Sequence, residues 1–119
     1  MNNHGFSPKE WGAAKSEAKE LLIARAKLRG MMPYSEIATN IKAVQLQAHD
    51  KRLFDLLGEL SEEEHAEGRG MISAMVVHKT GDMEPGEGFF ELAVKLGSDT
   101  SDKTKFWVEE LKKIYAYWS

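Results

Sequence analysis

Strands are scarce in this chain. The run "MISAMVVHK" (residues 71 to 79) is short, apolar, β-branched towards its end and bounded by Gly68 and Gly70, which reads as a buried strand. "GFF" (residues 88 to 90) begins a second. Two or three pieces of this size cannot make a large sheet, so helices must build the core. The expected class is mainly α with a small β-hairpin, an α+β fold. The hairpin would pair Met71 to Val77 with a segment around Gly88 to Phe90. Its tip would be "HKTGDMEPGEGFF", where Gly81, Gly86 and Gly88 ease unusual backbone angles and Pro85-Gly86 suits a tight turn.

The helices are punctuated clearly. Ser7-Pro8-Lys9-Glu10 combines an N-cap serine, a proline at the first helical position and a capping-box glutamate. Trp11, Ala14, Ala18, Leu21, Leu22 and Leu28 then recur near a 3.6-residue period, and Gly30 with Pro33 stops the run. This predicts a helix over residues 8 to 29. Ser35 caps a short helix through about Ile41, and Asp50 caps "KRLFDLLGEL". "SEEEHAEG" is either a separate helix or a continuation past Gly58. "FELAVKLG" has the composition of a short helix stopped by Gly97, and the last helix spans about residues 102 to 117.

With 119 residues, 42% hydrophobic and 29% charged, the chain fits one globular domain covering residues 1 to 119. Without cysteine there is neither a disulfide framework nor a thiolate metal site, as expected of a reducing, cytoplasmic setting. The N-terminus lacks the apolar core of a secretory signal, and no apolar run is long enough to span a bilayer, so no membrane partner is expected. Net charge is −3 but uneven: residues 1 to 30 carry six Lys or Arg against three Glu, whereas residues 61 to 70 carry four Glu against one Arg. A phosphate backbone would favour the first segment and avoid the second.

Catalytic and metal constellations are weak. "DMEPGEGFFELA" starts like a calcium loop, but its glycine falls at the seventh place and Pro85 breaks the ligand spacing. The four histidines show no HExxH pattern, no GxSxG elbow is present, and no thiol nucleophile exists. The expectation is a non-enzymatic protein with no metal and no cofactor.

"MPYSEIA" (residues 32 to 38), a tyrosine and serine opening a short helix after a proline, resembles the entry to the helix-turn-helix of winged-helix DNA-binding domains. The likeness in element order covers about residues 8 to 92. Similar openings occur in the DNA-binding domain of the alkyltransferases, but their catalytic Pro-Cys-His-Arg is missing, so no alkyl transfer is implied. The resemblance implies DNA contact through Ser35, Lys42, Lys51 and Arg52, with His78 and Lys79 at the base of the wing. The alternative is a protein-interaction or homodimerisation module with no nucleic-acid role. Its support is the aromatic wealth of the last helix, where Phe106, Trp107, Tyr115, Tyr117 and Trp118 suit either an interface or closure of the core. The arrangement of cations decides between the two readings. A joined patch of Lys15, Lys19, Lys27 and Arg29 with Lys51 and Arg52 favours nucleic acid, and a scattered one favours protein.

Overall fold

The computed structural model describes residues 5–47, 50–78 and 85–119. Five helices surround a short buried segment: α1 (Pro8–Lys27), α2 (Tyr34–Asn40), α3 (Lys51–Ala66), α4 (Glu87–Lys95) and α5 (Lys103–Trp118). Two strands of two residues each, β1 (Met32–Pro33) and β2 (Val76–Val77), pair in parallel with Met32 opposite Val76 and Pro33 opposite Val77. Among the described residues the fold is thus mainly helical with a small two-stranded sheet. No helix is long and apolar enough to cross a membrane.

The caps read for α1 and α3 are formed, but Ser35 is not a cap: it lies inside α2, whose first turn follows Pro33 with no side-chain hydrogen bond. Ser7 accepts from the Glu10 N–H while Glu10 accepts from the Ser7 N–H, and Asp50 and Asp102 cap α3 and α5 through the Arg52 and Lys105 N–H groups. Helix α3 runs through Gly58 and Ser61 without a break, because Leu53, Leu56, Leu57, Leu60, Ser61 and Glu64 lie along one buried face. The end of α1 differs in detail. Arg29, not Gly30, takes the positive φ (54°), and the Gly30 N–H closes the turn onto the Arg25 carbonyl at 3.1 Å. Gly30 is needed for space, since a Cβ there would meet Arg25 Cδ at 2.9 Å.

The hairpin is not formed. Gly88, Phe89 and Phe90 belong to the first turns of α4, and Val76–Val77 pairs with Met32–Pro33 instead. The buried Phe89, Phe90 and Ala93 give α4 one inward face, so helical burial overrides the strand preference of paired aromatics. Residues 79 to 84, six of the thirteen in the expected hairpin tip, lie outside the described residues.

Residues 72 to 75 form a 3₁₀ turn rather than a strand, although every side chain from Met71 to Val77 is buried. Their backbone polar groups are satisfied by helix side chains rather than by a neighbouring strand. The Met71 N–H donates to Glu110 Oε1 (3.0 Å), the Ser73 N–H to Ser61 Oγ (2.9 Å), and Trp107 Nε1 donates to the Ala74 carbonyl (2.8 Å). Helices α3 and α5 therefore clamp this segment, and β2 emerges from it pointing towards α2.

Candidate functional site

A groove of about 800 Å³ opens between α3 and α4. Helix α3 contributes Lys51, Phe54, Asp55, Gly58, Glu59 and Glu62, whose spacing places them on one helical face beside the buried one. Helix α4 supplies Glu87, Glu91, Leu92 and Lys95, and the floor is made by Phe54, Leu57, Phe89 and Leu92.

One end of the groove is built by Tyr34, His78 and Gly86. The Gly86 N–H donates to the Tyr34 hydroxyl at 3.2 Å. The Tyr34 ring meets Phe54 edge-on at 5.3 Å and His78 at 5.1 Å. A Cβ at Gly86 would stand 3.3 Å from His78 Nε2 and 3.5 Å from the Tyr34 hydroxyl, so a side chain there would press on the imidazole. Burial raises the Tyr34 phenol above its ordinary pKa, against a smaller lowering effect from the Gly86 N–H.

The rim is acidic. Asp55, Glu59, Glu62, Glu87 and Glu91 outnumber Lys51 and Lys95 among the lining residues, and Lys103 of α5 pairs with Glu87 at 3.1 Å. Lys51 lies 3.2 Å from Asp55, and Lys95 lies 3.7 Å from Glu62. Glu59 is committed to the fold, accepting from Trp11 Nε1 (3.0 Å) and Lys15 Nζ (3.3 Å). Among the described residues no group of three or more His, Asp or Glu is placed to hold a metal ion.

The residues expected to touch DNA do not converge. Lys51 and His78 line the groove. Ser35 is exposed on α2, where its carbonyl accepts from the Thr39 hydroxyl. Lys42 follows α2 and borders a different, polar hollow, with its N–H donating to Glu17 at 2.7 Å. Arg52 is gripped by Asp50 at 2.7 Å and lies 4.9 Å over the Phe6 ring. Lys79 lies outside the described residues.

The cations of α1 are largely paired. Lys15 bridges Glu59 and Glu63, Lys19 approaches the buried Glu64 at 3.8 Å, and Arg25 pairs with Glu36. The positive excess of α1 thus lies against the negative excess of α3. Lys27 and Arg29 form no ion pair among the described residues, and both are exposed.

Four of the five aromatics of α5 turn towards their own core, and Tyr117 stays exposed beside the Arg69 guanidinium. Phe106 packs 5.8 Å from Phe89, Trp107 bonds the Ala74 carbonyl, and the Tyr115 hydroxyl donates to the Gly30 carbonyl at 2.8 Å. Trp118 is half-buried beneath the Arg69 guanidinium at 5.8 Å.

Sequence reasoning singled out "PYSEIA" and the Pro85-Gly86 loop separately and did not bring them together. Tyr34, Phe54, Gly86, Glu62, Glu91 and Leu92 went unrecognised as parts of one site. The available signal was Phe54, an exposed aromatic on a helix whose leucines already fill its inner face. Compared with protein-family profiles, curated proteins and solved structures, the chain has no significant match.

Proposed function

We propose that this protein is a non-enzymatic protein-interaction module whose α3–α4 groove receives a basic segment carrying apolar side chains. The observation behind this reading is the pairing of an apolar floor (Phe54, Leu57, Phe89, Leu92) with a rim of five carboxylates and two lysines. Such a rim repels phosphate and attracts Lys or Arg, while the floor rewards burial of a leucine or an aromatic ring. Selection from a displayed library of random short peptides, with the protein at nanomolar concentration, tests it. The selected peptides should combine Lys or Arg with Leu or Phe. Their affinity should fall about tenfold or more in Glu62→Lys/Glu91→Lys, and fall with added salt. Absence of any enriched pattern, or indifference to the charge reversal, would overturn the reading.

A second reading is a winged-helix-like domain that meets nucleic acid through Ser35, Lys42, Lys51, Arg52, His78 and Lys79. It draws support from the succession of α1, α2 and α3, with Tyr34 opening α2. The acidic groove beside Lys51 and His78 and the ion pairs of α1 weigh against it. Titration with duplex DNA at low salt decides: association weakened by Lys51→Ala/Arg52→Ala would put this reading first.

A further inference from the structure

The turn that ends α1 has the chemistry the groove lacks. Leu28 is 77% exposed, more than any other large hydrophobic residue among those described, and it stands between exposed Lys27 and Arg29. A lone exposed leucine is ordinary; one flanked by two cations that form no ion pair among the described residues is a basic apolar knob. The knob is also rigid. The Arg29 N–H donates to the Ala26 carbonyl (2.9 Å) and the Gly30 N–H to the Arg25 carbonyl (3.1 Å). Arg25 is itself anchored to the Met31 carbonyl (2.6 Å) and to Glu36, so presenting this turn to a partner sacrifices little conformational freedom.

We infer that the partner is a second copy of this chain, the Lys27-Leu28-Arg29 knob of each copy entering the α3–α4 groove of the other. The inference rests on the protein-interaction reading and names its partner. Leu28 would lie on the floor of Phe54, Leu57, Phe89 and Leu92. Lys27 and Arg29 would face Glu62 and Glu91 on opposite walls. Tyr34, at one end of the groove, follows Gly30 by four residues of chain, which span at most about 14 Å. Knob and groove are therefore neighbours on the molecule, and a two-fold pair in which each copy gives one knob and takes one is self-complementary. Two small contacts of this kind make a micromolar, salt-sensitive dimer.

Analytical ultracentrifugation of the full chain over a concentration series tests this. The wild-type protein should dimerise at low salt and dissociate as salt rises. Leu28→Asp, at an exposed position where folding is not at risk, should weaken the dimer about a hundredfold, roughly tenfold for each of two contacts. Lys27→Glu/Arg29→Glu and Glu62→Lys/Glu91→Lys should each be monomeric alone. An equimolar mixture of the two should form a heterodimer, because both of its contacts then join opposite charges. A wild-type monomer, a dimer indifferent to Leu28→Asp, or a mixture that stays monomeric would overturn the proposal. A wild-type monomer that still selects basic peptides through Glu62 and Glu91 would remove the second copy and leave the groove reading standing. Failure of both experiments would remove both.

Discussion

Gly70 sits beneath α5 with φ +96°, and a Cβ there would lie 3.1 Å from Ile114 Cγ1 and 3.2 Å from Lys113 Cβ. Gly68 also has a positive φ (75°), but with open space around it. Gly70→Ala should therefore cost about 2–3 kcal/mol, strain plus overpacking, and Gly68→Ala about 1 kcal/mol, strain alone, measured by urea unfolding. Arg29 poses the reverse case: Arg29→Gly should stabilise the monomer by about 1 kcal/mol by removing the left-handed strain while weakening self-association. Burial raises the pKa of both Tyr34 and Tyr115. A phenol that loses its proton later in the folded state lends stability below its unfolded pKa. That stability is lost as pH rises from about 10 through the folded value. Thermal stability should accordingly fall in this alkaline window, and Tyr34→Phe should flatten the fall. None of these strained or buried positions is marked in the sequence, because each depends on a neighbour more than thirty residues away or on a backbone angle.

At the scale of elements, legibility follows locality. The caps of α1, α3 and α5 use residues three positions apart or fewer, so Ser7, Asp50 and Asp102 could be read directly. Ser7→Ala should cost about 1 kcal/mol in thermal unfolding. Gly97 stops α4 at φ +90°, also as the sequence suggested. The start of α4 could not be read the same way. Pro85-Gly86 looks like a turn and Phe89-Phe90 like a strand, and only burial of both rings against the helical core decides for a helix. Phe90→Ala should cost about 3–5 kcal/mol, measured as the loss of unfolding free energy. The strand reading of residues 71 to 75 failed for a related reason: a buried extended segment needs backbone partners, and Glu110, Ser61 and Trp107 supply them from distant helices.

For the whole molecule, the charge imbalance along the sequence proved to be a seam. The positive excess near the N-terminus and the glutamates of residues 61 to 70 meet where Lys15 and Lys19 face α3, so the asymmetry belongs largely to the fold. The groove stayed hidden because its walls come from α2, α3, α4 and the end of β2, which no local pattern links. The same dispersion gives the two-residue sheet a kinetic meaning. Met32–Pro33 and Val76–Val77 are joined through all of α2, α3 and the 3₁₀ turn, and Pro33 has no N–H to offer the ladder. So few hydrogen bonds cannot repay closure of so long a loop until the intervening helices have docked. The pair should therefore zip after the rate-limiting barrier. Val77→Ala should leave the refolding rate almost unchanged and accelerate unfolding, with a φ-value below about 0.3 in stopped-flow measurements. A value near 1 would mean that the smallest element of the fold forms first.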